Sequence, residues 1–219
     1  MKFYICSYTN KVKEYCDQAF LYNLFKVAKD NPVFIVDNTL DKGEYTKKLR
    51  SLSKNSNFGI IKHTVPPGEY QFLRNVAESV NICRTKFIES TCDYMLIIES
   101  DVIPPENLLV TLEEDISYLN CKREKWGIIG GIYYQNFHNF NSRSFSKEAH
   151  VLSGCSVYNR ELIKETPFRW DRTIPGAFPD AFMSLDSDNK GYSNWNDHTI
   201  RCHHAEKRPN DRAHSGLLS

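Results

Sequence analysis

The sequence lacks most of the features that would place a 219-residue chain in a specialised class. Its net charge is only +1, so no broad electrostatic attraction draws it to nucleic acid or to an acidic membrane surface. No apolar run approaches the roughly 18 residues that a membrane-spanning helix needs. The opening MKFYICSYTNK is broken by Ser7 and Asn10 and reads as a first strand, not a signal peptide. None of the seven cysteines (6, 16, 83, 92, 121, 155 and 202) forms a C-x-x-C pair. A zinc ribbon or dithiol redox motif is therefore not indicated, and the odd, scattered set fits free thiols in a reducing cytoplasm. There is no G-x-x-x-x-G-K, hence no P-loop. Internal repeats and low-complexity tracts are absent too.

What is present is an ordinary globular composition, 41% hydrophobic and 25% charged, in a chain long enough for one good core. KFYICSYT (2–9) reads as a strand, and KEYCDQAFLYNLFKVAKD (13–30) has helical apolar spacing and stops before Asn31-Pro32. PVFIVDNT (32–39) is a second strand, followed by a polar helix near 43–54, and FGIIKHTV (58–65) is a third. After PPG at 66–68, residues 70–90 are helical and lead into the strand YMLII. This alternation predicts a parallel sheet covered by helices. Right-handed crossovers then bring the strand C-terminal ends to one edge, where open α/β sheets bind ligands. Ser7, Tyr8, Thr9, Asp37, Glu99 and Asp101 all fall on that edge.

Beyond it, 105–122 reads as a helix, 126–134 as a strand, and the polar stretch 136–148 as a mobile loop. In the strand, Gly130-Gly131 would let something approach the backbone closely. Residues 149–162 suit a strand-turn-strand or strand-helix unit. A loop (167–178), a short helix (179–191) and a last strand (192–204) follow, with a flexible tail over 205–219.

Two acid pairs stand out. In YMLIIESDVIPP (94–105) a buried strand runs straight into Glu99 and Asp101. Two like charges so placed call for a cation, and Mg2+ or Mn2+ takes oxygen ligands and is completed by substrate phosphates. As a bland alternative, the pair caps the following helix. Asp186 and Asp188, in LDSDN, lack the apolar lead-in. Their D-x-D-x-x-G spacing departs from a calcium loop at Lys190 and Asp197, so they read as a solvated helix end. His203 and His204 point to opposite faces of a strand, so at most one can serve a given site.

Taken together, these segments resemble the metal-dependent glycosyltransferases of the GT-A fold, especially the family-2-like group, over nearly all of residues 1–204. The resemblance implies a Rossmann-like nucleotide-binding half (1–104) with a mixed central sheet, and an acceptor-binding half (105–204). VFIVDNT resembles the family's second strand, which implies that Asp37 contacts the nucleoside. NICRTKFIESTCDYMLIIESDVIPPENLL resembles the stretch holding the D-x-D motif. It implies Arg84 near the diphosphate or sugar, and Glu99-Ser100-Asp101 at the metal, with Glu in place of the usual first Asp. Asp180, Gly191 and His204 keep the spacing of the family's late motif, with Pro179-Asp180 where Glu-Asp is usual. That implies Asp180 as the base that activates the acceptor and His204, over His203, as a metal ligand. VLSGCSVYNREL resembles the segment beneath donor and acceptor, implying Gly154 and Cys155 in the pocket.

The implied activity is transfer of a sugar from a UDP- or GDP-linked donor to a hydroxyl on a glycan or other acceptor, with Mn2+ or Mg2+ as cofactor and inversion at the anomeric carbon. Loop 136–148 and the tail would close over the donor. A nucleotidyltransferase would carry a glycine-rich basic loop after the first strand, where SYTNKVKEY has no glycine. A haloacid-type phosphatase would need an aspartate nucleophile there, and Ser7-Tyr8-Thr9 offers none. A domain that binds nucleotide-sugar or glycan without turnover is the rival from another class, with Pro179 and Glu99 as its best support.

Overall fold

The computed structural model describes residues 1–132, 145–174 and 178–205. Strands β1 (Phe3–Thr9), β2 (Val33–Asp37), β3 (Phe58–Lys62) and β4 (Tyr94–Ile98) alternate with helices α1 (Asp17–Ala28), α2 (Glu44–Leu52) and α3 (Gln71–Glu89). Next come β5 (Val102–Ile103), α4 (Leu108–Cys121), β6 (Trp126–Ile132), β7 (Phe145–Lys147) and β8 (Cys155–Asn159). The chain continues through α5 (Arg160–Glu165), α6 (Pro179–Asn189), β9 (Ser193–Arg201) and β10 (His203–His204). Eight strands form one sheet in the order β3-β2-β1-β4-β8-β6-β9-β7, and β10 pairs with β5 in a separate ribbon.

The first four strands are parallel, as the alternation predicts. β8 then enters antiparallel between β4 and β6, which makes the sheet mixed. Because β1 lies between β2 and β4, the strand order reverses direction at β1. Right-handed crossovers on either side of such a switch must use opposite faces. Accordingly α1, α2 and α4 pack on one face, through residues such as Leu24, Leu49 and Ile116. On the other face lie α3, α5 and α6, through Val80, Ile163 and Met183. Each inner strand feeds both cores by alternation: Leu96 and Ile98 face the first, Met95 and Ile97 the second.

Three departures from the sequence reading have local causes. The helix expected from residue 13 starts as a 3-10 turn (Lys11–Cys16), because the Asn10 side chain accepts from the Val12 amide and fixes a tight entry. Residues 145–147, expected within an irregular loop, form edge strand β7 against β9, and Phe145 stacks on Trp195 at 4.9 Å. The rest of that loop from 136 to 144, and the tail from 206, lie outside the described residues. What approaches Gly130 and Gly131 is the protein itself. A Cβ on Gly131 would sit 2.5 Å from Ile200 Cγ2 and 2.9 Å from the Ile200 carbonyl oxygen.

Arg160 locks the second face. Its guanidinium donates to the carbonyls of Cys92, Ile88 and Ser90 at 2.6, 2.9 and 3.0 Å, tying the start of α5 to the end of α3. Carbonyls at a helix C-terminus have no partner within the helix, so a half-buried cation there is well placed.

Candidate functional site

The ends of β1 and β4 meet at the point where the strand order reverses, and the acids gather there. Glu99 Oε1 accepts from the Tyr8 hydroxyl at 2.6 Å and from the Ser153 hydroxyl at 2.7 Å. Its backbone N–H donates to the Gly154 carbonyl at 2.9 Å, so the segment before β8 seals the end of β4. Burial, then the negative charge of Glu99, push the Tyr8 phenol well above its usual range and keep it a donor.

Asp101, almost buried, is held from two sides. Lys13 Nζ lies 2.8 Å from Oδ1, and His204 Nε2 lies 3.6 Å from Oδ2. The same ammonium is 3.9 Å from Glu99 Oε2. His204 reaches Asp101 because β10 pairs antiparallel with β5, setting His204 opposite Val102, and the Ala205 amide donates to the Asp101 carbonyl at 2.7 Å. His203 lies opposite Ile103 and is exposed.

Asp180 sits in the first turn of α6, behind Pro179 at the position where a missing N–H costs nothing. Its Oδ2 accepts from the Ser153 amide at 3.2 Å and faces His150 Nε2 at 3.6 Å. Ser153 therefore touches both Glu99 and Asp180, joining the strand-end acids to the acid of α6.

Most of the other expected residues are engaged by the protein itself. Asp37 is fully buried, with one oxygen accepting from the Thr39 amide at 2.9 Å and the other from the Thr46 hydroxyl. Thr9 is buried near the Tyr45 hydroxyl. Cys155 is buried too, and its thiol is pushed well up, first by a hydrogen bond with Cys202 and then by burial. Arg84 donates to the Ile163 and Lys164 carbonyls at 2.6 and 2.8 Å, so it caps α5. Asp186, expected to be solvated, is gripped by Arg169 through two hydrogen bonds at 2.8 and 2.9 Å. The Ser7 and Ser100 hydroxyls are buried without a hydrogen-bond partner.

Glu99, Asp101 and His204 do not stand as a ready ligand set. Among the described residues, no group of three or more His, Cys, Asp or Glu side chains is gathered to hold a metal. Lys13 stands against both acids instead and offsets part of their charge. In chemistry the donors do fit Mn2+ or Mg2+: two carboxylates, an imidazole, and the orphaned Ser100 hydroxyl between the acids. Lys13, Ser153 and His150 escaped the sequence reading. For Lys13 the signal was only its place four residues after the end of the first strand, near the ligand edge.

An apolar cavity of about 520 Å³ lined by Leu21, Tyr22, Phe25, Leu52 and Phe58 lies between α1, α2 and β3, and shares no residue with the acids. Among the described residues, no helix is long and apolar enough to cross a membrane.

No protein-family model matches the sequence, and no curated protein matches it. Solved structures do. S. aureus TarS superposes with a TM-score of 0.60 at 15% identity, covering 97% of this chain and 38% of that one. The mannosyltransferase PcManGT from Pyrobaculum calidifontis, in complex with GDP-Man and Mn2+, gives 0.64 at 14% identity, covering 97% and 59%. A197 from STIV gives 0.51 at 11% identity, covering 94% and 87%. The chain thus spans well under two thirds of the first two proteins. It has the mixed α/β fold of GT-A-like glycosyltransferases.

Proposed function

We propose that this chain transfers a sugar from a nucleoside-diphosphate sugar, UDP- or GDP-linked, to an acceptor hydroxyl. The observation that carries the reading is the single connected rim in which Ser153 links Glu99 of the strand end to Asp180 of α6. The fold supports it, as does the GDP-Man carried by one structural neighbour. Residues 1–104 would hold the donor and 105–204 the acceptor, a glycan being the acceptor class that the family resemblance favours. The buried thiols suit a reducing compartment such as the cytoplasm.

Asp101, Glu99 and His204 would hold a divalent ion, Mn2+ or Mg2+. A divalent ion held there would offset the charge on a departing diphosphate. Asp180 takes the proton from the acceptor hydroxyl at Oδ2, the oxygen that Ser153 and His150 orient. The acceptor oxygen forms its bond to the anomeric carbon as the bond from that carbon to the phosphate oxygen breaks. One base and a single displacement give inversion. Tyr8 and Ser153 keep Glu99 in place throughout.

Calorimetric titration of UDP and GDP, with and without Mn2+, on the wild type and Asp101→Ala tests this. Binding of one nucleotide that depends on both the metal and Asp101 is the expected result. Absent binding, or binding indifferent to Asp101, would overturn it. Turnover assays with the nucleotide-sugar of the winning base then separate an enzyme from a binding domain.

A further inference from the structure

The acid pair already has a cation, and the chain itself supplies it. Lys13 is not a passing surface residue. Its side chain is only 18% exposed, and its ammonium lies 2.8 Å from Asp101, 3.9 Å from Glu99 and 6.0 Å from the Tyr8 ring centroid. The turn that carries it is fastened to the same strand end. The single S–H of Cys16 has the Lys13 carbonyl at 3.0 Å and the Ser100 carbonyl at 3.3 Å as acceptors, and the Lys13 amide donates to the Asn10 carbonyl at 2.9 Å. The backbone is therefore fixed, while four side-chain bonds leave the ammonium able to swing.

An ammonium donates hydrogens and cannot ligate a metal. It occupies the approach to Asp101 Oδ1, and a dication on the two acids would repel it across a few ångströms. We propose that Lys13 is a built-in competitor of the divalent ion: it offsets part of the charge of Glu99 and Asp101 when the metal is away and is expelled from them when the metal arrives. This rests on the proposed use of a divalent ion at these acids. Lys13 is a positioning residue in this role, setting how much metal the site demands. Once expelled, the ammonium stays on the donor rim, where a diphosphate is the available anion.

The test uses Mn2+ alone as the probe, with no nucleotide. Calorimetry compares the wild type, Lys13→Met, which keeps length without charge, and Lys13→Arg, which keeps the charge. Lys13→Met should bind Mn2+ about tenfold more tightly or better, as expected when one nearby positive charge is removed, and Lys13→Arg should not. A second measurement needs no variant: acylation of Lys13 by an amine reagent, followed by mass spectrometry, should be slow without Mn2+ and speed up when it is added. Equal Mn2+ affinity in wild type and Lys13→Met, with binding still lost in Asp101→Ala, would overturn the competitor role and leave the proposed metal site standing. Mn2+ binding by Lys13→Met but not by the wild type would overturn the proposal, because the native ammonium would then never yield to the metal, and with it metal use by the native protein. Absence of binding in all of them would overturn both.

Discussion

Tyr8 donates to Glu99 at 2.6 Å across 91 positions of sequence. The bond crosses from the end of β1 to the end of β4, the point where the strand order turns back, so it closes the floor of the rim.

Tyr8→Phe leaves the ring and removes that donor. Glu99 would keep only Ser153 on that oxygen, and stability should fall by about 1–2 kcal/mol in chemical denaturation. The phenol also predicts a pH dependence. Its folded pKa is raised by burial and then by Glu99, so its contribution is complete below the unfolded value of about 10 and declines above it, as the unfolded chain ionises first. Denaturation midpoints of wild type and Tyr8→Phe should therefore converge as the pH climbs past about 10.

Asp180→Asn keeps shape and the Ser153 contact but cannot take a proton. Turnover should drop by roughly 10²-fold or more, with nucleotide binding unchanged by calorimetry. His150→Ala removes only a neighbour at 3.6 Å, and its effect on rate should be smaller.

Arg160→Ala strips three carbonyls at the end of α3 and the loop beyond it of a shared charged donor. A loss of about 2–3 kcal/mol is expected, measured by urea unfolding, with Lys recovering only part because one ammonium cannot span the fan that a guanidinium does.

Cys121 is exposed, whereas Cys6, Cys16, Cys83, Cys92, Cys155 and Cys202 are buried. Iodoacetamide on the native protein should mark Cys121 first, read by peptide mass spectrometry. Cys16, whose thiol burial pushes up to about 11, should remain unlabelled at neutral pH.

The acids at the end of β4 could be found from sequence because the continuous apolar run of a doubly covered strand ends abruptly in charge, a local signal. The helix of Asp180 was equally plain, with proline at its first position. Partners distant along the chain were not. Lys13 meets Asp101 across 88 positions, and nothing in NKVKEY marks which lysine turns inward. Ser153 carries no distinctive chemistry, and its importance comes wholly from standing between two acids. The mixed sheet was expected from the family resemblance, but the residues alone did not mark β8 as its antiparallel strand, since Ile97 and Ser156 choose each other only once the sheet exists. Asp37, which the family resemblance implies as a nucleoside contact, is held from within by the Thr46 hydroxyl and the Thr39 amide, partners that the sequence does not mark.

The pairing of β10 with β5 has a consequence for synthesis. Glu99 and Asp101 leave the ribosome about a hundred residues before His204, which must return to lie against Val102. During that interval the acid pair has Lys13, made earlier still, as its neighbour. One ammonium offsets only one of the two carboxylate charges, so the imidazole of His204 joins a rim that is still negative.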